Sequence, residues 1–92
     1  MGLFKRKNQP PEGEPGRTTV HFQSLRYAEG DRTLELTWEA RMQGHSMAYA
    51  PSPRLWREIM PDWAKERREE ILESMKRQTA GDGFDWLEYD KP

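Results

Sequence analysis

The chain has no cysteine. A disulfide framework, a thiolate nucleophile and a cysteine-ligated zinc site are therefore excluded, which fits the cytosol. Long hydrophobic runs are missing too: no stretch approaches the ~20 apolar residues that a membrane-spanning helix needs. Histidine is limited to His21 and His45, with neither an HxH nor an HExxH spacing, so a metal site would lack its usual nitrogen ligands. The run Asp82-Gly83-Phe84-Asp85 lacks the further ligands and glycine placement of a calcium loop. Ser24, Ser46, Ser52 and Ser74 are scattered, and no G-x-S-x-G accompanies them. A phosphate-cradling loop is absent as well, since AGDGF is a lone glycine pair better suited to stopping a helix. These absences lead to an expectation of no enzymatic activity, no catalytic residues, no cofactor and no metal.

The chain does have charge and aromatic rings. Of 92 residues, 34% are charged and 34% hydrophobic, with a mean hydropathy of −1.13. Four Trp, three Tyr and three Phe argue against full disorder despite that polarity. Length limits the chain to one domain, with a small core whose net stability is about 3–5 kcal/mol. Aromatic side chains must fill much of that core, because aliphatic residues are few.

Residues 1–17, MGLFKRKNQPPEGEPGR, carry three prolines and three glycines with almost nothing to bury. They read as a flexible basic tail. Its four basic residues against Glu12 and Glu14 give a net +2, whereas the remaining 11 basic and 14 acidic residues give −3. An acidic body is a poor match for nucleic acid unless its cations cluster on one face. The opening apolar stretch is too short for a secretory signal, and Arg6 stands where a myristoylation pattern wants Ser or Thr. A soluble, cytoplasmic location is the expectation.

From Thr18 the pattern has period two, and residues 18–92 read as a single α+β domain. Val20 and Phe22 alternate with polar residues, then Leu25 and Tyr27 continue on the other parity, as a β-bulge near Gln23–Ser24 would produce. Gly30-Asp31 suits a tight hairpin turn. TLELTWEARM then puts Leu34, Leu36, Trp38, Ala40 and Met42 on one face and polar residues on the other, the signature of an antiparallel sheet covered on one side. QGHS offers a turn and MAYA a third strand.

Ser52 and Pro53 suit the N-cap and first position of a helix containing Leu55, Trp56, Ile59 and Met60. Pro61 cannot continue that helix but can begin another, carrying the apolar stripe Ala64, Ile71, Leu72 and Met75 with Trp63 at its edge. Trp56 and Trp63 are expected at the elbow, with Gly81 or Gly83 closing the helix and residues 84–90 adding a final strand. The expected fold is thus a small antiparallel sheet, a three-stranded meander plus a C-terminal strand, packed on one face by a kinked or two-piece helix.

Trp and Arg are enriched where proteins bind one another. Trp63, Arg67, Glu70 and Trp86 are the candidate partner-binding residues, with the competing reading that the tryptophans are core filler. Glu39 is the other carboxylate of interest, and a cross-strand ion pair is its plainest role. A second possibility is nucleic-acid binding, with Arg26, Arg32 and Arg41 on the sheet's polar face as a phosphate grip, opposed by Glu35 and Glu39. A third is an accessory subunit of a larger assembly.

The order of these features resembles the immunity protein 74 family of bacterial polymorphic-toxin systems. The likeness rests on Tyr27 and Gly30 in YAEGDR, Glu39 in TWEA, Tyr49 in MAYA, Trp56 in PRLWRE, Pro61, and Ile71-Leu72 in REEILESM, and it spans roughly residues 24–90. It implies a small cytoplasmic α+β protein that binds and silences a toxin domain. Its partner is accordingly expected to be a protein, a toxin domain or a second copy of itself.

Overall fold

The structure is a computed structural model that describes residues 15–91. Five strands form one open sheet in the order β1-β2-β3-β4-β5. They are β1 (Arg17–His21), β2 (Ser24–Glu29), β3 (Arg32–Glu39), β4 (Ser46–Pro51) and β5 (Phe84–Tyr89). β1 to β4 make an antiparallel meander, whereas β5 runs parallel to β4. The α+β class with helices on one face is as the sequence implies. The meander has four strands rather than three, and the last strand is not antiparallel.

The extra strand comes from the change of parity at Gln23–Ser24. It is not a bulge. His21 faces Ser24 across β1 and β2, so Phe22 and Gln23 form a two-residue hairpin loop, with Gln23 in left-handed backbone (φ 60°). A two-residue loop and a one-residue insertion shift the alternation alike. The Gly30-Asp31 hairpin occurs as expected, with Glu29 facing Arg32. β3 ends at Glu39, earlier than its alternation suggested, and Ala40 and Met42 are exposed.

Between β4 and β5 the chain crosses the sheet through two helices, α1 (Pro53–Ile59) and α2 (Arg68–Gln78). Ser52 caps α1, its hydroxyl oxygen accepting from the Leu55 N–H at 3.2 Å, with Pro53 in the first turn. Pro61 does not begin the second helix directly. It precedes one 3-10 turn, Asp62–Ala64, and α2 starts only at Arg68, with Glu69 and Glu70 in its first turn, where anions suit the helix dipole. The Ala64 carbonyl accepts from the Trp56 indole N–H at 2.8 Å and from the Arg67 N–H at 3.0 Å, both in place of the partner four residues on that an α-helix requires. Trp56, fully buried, therefore pins the elbow.

One face of the sheet meets the helices. Leu25, Tyr27, Leu34, Leu36, Ala48 and Ala50 pack with Trp56, Met60, Ala64, Ile71, Leu72 and Met75. The expected stripe Ala64, Ile71, Leu72 and Met75 is buried in full, while Trp38, Trp63, Phe84 and Trp86 border the core half-buried. No helix among the described residues is long and apolar enough to cross a membrane.

Of the residues assigned by sequence to the tail, 15–17 lie at the start of the folded unit. Gly16 is buried, its carbonyl accepting from the Gln78 side-chain amide at 2.9 Å, and Arg17 opens β1. The remainder of that segment lies outside the described residues.

Candidate partner-binding surface

Three of the four candidate residues converge where the 3-10 turn meets α2. Trp63 is half-buried against the core. Two guanidinium groups lie near its ring: the central carbon of Arg32 is 5.9 Å and that of Arg67 5.8 Å from the ring centroid. Such contacts draw on the negative face of the indole.

Arg67 is held from the other side. Its Nη1 and Nη2 donate to the two oxygens of Glu29 at 3.0 and 2.6 Å, while Nε and Nη2 donate to those of Glu70 at 3.2 and 2.7 Å. One planar guanidinium thus bridges two carboxylates, a geometry a lysine ammonium would not reproduce. The Tyr27 hydroxyl donates to Glu29 Oε2 at 2.6 Å, tying the network to the core. Glu29 and Arg67 side chains are only 16% and 26% exposed, so solvent screens this pair less than an ordinary surface ion pair.

The titration behaviour follows from these contacts. Hydrogen bonds from Arg67 hold the Glu29 carboxyl below its ordinary value, helped by Tyr27 and opposed by burial. Arg67 lowers Glu70 in the same way. Burial first, then the bond to Glu29, pushes the Tyr27 phenol well above its usual value. Bonds to Glu29 and Glu70 raise the Arg67 guanidinium further.

Trp86 stands apart from this group. It lies on β5, the outermost strand, with the Lys76 ammonium 5.7 Å from its ring centroid. Lys76 is nine residues beyond Arg67 along the chain, about 13 Å at the helical rise. The four candidates therefore form one patch of three and a separate tryptophan. Glu29 and Arg32, which complete the patch, have no sequence signal: the Glu29–Arg67 pair joins residues 38 positions apart.

The three cations of the phosphate-grip reading do not share a face. Arg26 is paired with Glu35 at 2.9 Å on the helix-free side. Arg32 faces Glu29 across the hairpin, on the covered side. Arg41 lies beyond β3, its Nη2 donating to Asp85 at 2.5 Å. The two histidines serve local bonds: His21 pairs with the Thr19 hydroxyl at 2.8 Å and His45 with Asp85 at 3.1 Å. Among the described residues, no group of three or more His, Asp or Glu side chains is arranged to hold a metal ion. Among the described residues, Glu39 accepts from the Tyr49 hydroxyl at 3.0 Å rather than from a cation.

No family model, curated protein or solved structure matches the chain.

Proposed function

We propose that this chain is a non-enzymatic protein-binding module whose contact centre is Trp63 with Arg67 and Glu70, and that its target is a toxin domain, as the resemblance to immunity proteins implies. The observation that supports the reading most is the fixed Trp63–Arg67 pair. A half-buried indole beside an arginine already bonded to two carboxylates loses little conformational freedom on binding. Tryptophan and arginine are also the side chains that most often dominate binding energy. Inhibition on this reading is steric: the patch covers the target's working surface and makes or breaks no bond.

The test is co-production with any toxin domain found encoded next to the chain's own gene. Wild-type chain restores growth and co-purifies in a fixed stoichiometry. Trp63→Ala combined with Arg67→Lys retains far-UV circular dichroism yet loses both. Full protection by that double variant would remove the patch from the interface. Tight, steeply salt-dependent binding of a mixed oligonucleotide with no protein partner would favour the nucleic-acid reading instead.

A further inference from the structure

The sheet face away from the helices carries a second, unrelated arrangement. Thr37, Glu39, Tyr49 and Tyr89 line an open recess of about 340 Å³. The two tyrosine rings meet edge to face, centroids 6.4 Å apart and planes at 85°. Glu39 sits at their side, one oxygen accepting from the Tyr49 hydroxyl. Next to Tyr49 across the β4–β5 pair is Leu87, 48% exposed.

Charge pairing singles out Glu39. Strand alternation puts three carboxylates on this face: Glu35, Glu39 and Asp85. Glu35 is neutralised by Arg26, and Asp85 by Arg41. Glu39 has no cation within ion-pair distance among the described residues, and its second oxygen is unengaged. Aromatic faces attract cations through their quadrupole, and an adjoining carboxylate adds directional hydrogen-bond acceptance.

We propose that this recess binds the side chain of an arginine presented by a partner protein. A planar guanidinium can lie on a tyrosine face and point its fork at Glu39, which a compact ammonium does less well. An open recess on a sheet surface suits a side chain projecting from a larger surface better than a small molecule, which needs enclosure. The site is independent of the Trp63 patch, on the opposite side of the sheet.

The full chain is titrated with the peptide Ac-Ser-Gly-Arg-Gly-Ser-NH2 while the Tyr49 and Tyr89 ring signals are followed by NMR. Saturable shifts are expected, weakening by about tenfold, equivalent to ~1.4 kcal/mol, when citrulline replaces arginine or in Glu39→Gln. Trp63→Ala leaves them unchanged, separating this site from the proposed toxin contact. Equal binding of the citrulline peptide, or no saturable shift, overturns the proposal. So does tighter binding of choline, which makes the ligand a free small cation, or concentration-dependent dimerisation abolished by Glu39→Gln, which makes the occupant a second copy.

Discussion

Trp56 does two jobs that a smaller residue cannot combine: its ring fills the centre of the core and its indole N–H holds the Ala64 carbonyl at 2.8 Å. Trp56→Phe keeps most of the volume but loses the bond, so unfolding free energy from urea titration should drop by about 1–3 kcal/mol. Trp56→Ala should cost ~3–5 kcal/mol, as much as a domain this small holds, and leave no cooperative transition. Tyr27 offers a different readout. Its phenol is buried and donates to Glu29, so in a spectrophotometric titration it should ionise well after a free tyrosine, and Glu29→Gln should bring that ionisation down. Its raised value has a sign for stability: the contribution is intact below the unfolded value of 10.0 and drains away as pH rises beyond it.

At the scale of elements, the turns carry the constraints. Gln23 adopts φ 60° in a two-residue loop, a conformation a side chain with a Cβ resists. Gln23→Gly should therefore raise thermal stability slightly, by up to ~1 kcal/mol, whereas Gln23→Val should lower it. At the start of β1, Gly16 lies so close to Tyr27 that an added Cβ would stand 2.5 Å from the ring. Tyr27 cannot move aside without breaking its bond to Glu29. Gly16→Ala should thus destabilise by about 1–3 kcal/mol, and calorimetry on the full chain would detect the lowered midpoint. Gly83, at φ 78°, ends the crossover in left-handed backbone and turns the chain into β5. There the Gly83 carbonyl accepts from the Ser46 N–H at 3.0 Å, setting the parallel register.

For the molecule as a whole, the carboxylates set the acid limit. Glu29 and Glu70 are held low by Arg67, Asp85 by His45 and Arg41, and Asp90 by Ser52 and Arg54. Each has a depressed value in the folded state, so the folded chain releases these protons more readily than the unfolded chain. Stability from these groups is present above the ordinary carboxylate range and is lost as pH falls through it toward their lowered values. Thermal midpoints measured from pH 7 to pH 3 should decline across that window. In Glu29→Gln the midpoint should start lower and decline less, because the best-shielded of these pairs has been removed. An equal slope in the variant would mean that Glu29 is not part of the acid response.

Period-two alternation and the proline and glycine positions determined the core of β3, the Gly30-Asp31 hairpin and the capped first helix, and helical spacing determined the buried stripe through Ile71, Leu72 and Met75. The break between β1 and β2 looks the same in the alternation as a bulge. Those features depend on neighbours in the chain, where facing and backbone preference are local quantities. Tertiary structure alone decided the direction of β5, since alternation is the same whichever way a strand runs, and a helical crossover is what returns the chain to the beginning of β4. It also decided that Pro61 leads into a single tight turn, because the Ala64 carbonyl is taken by the indole of Trp56. The Arg67 bridge, and a Glu39 that lies beside two tyrosines with no cation paired to it among the described residues, were settled in the same way. Both depend on which charges meet across strands and helices far apart in sequence, and spacing along the chain does not carry that information.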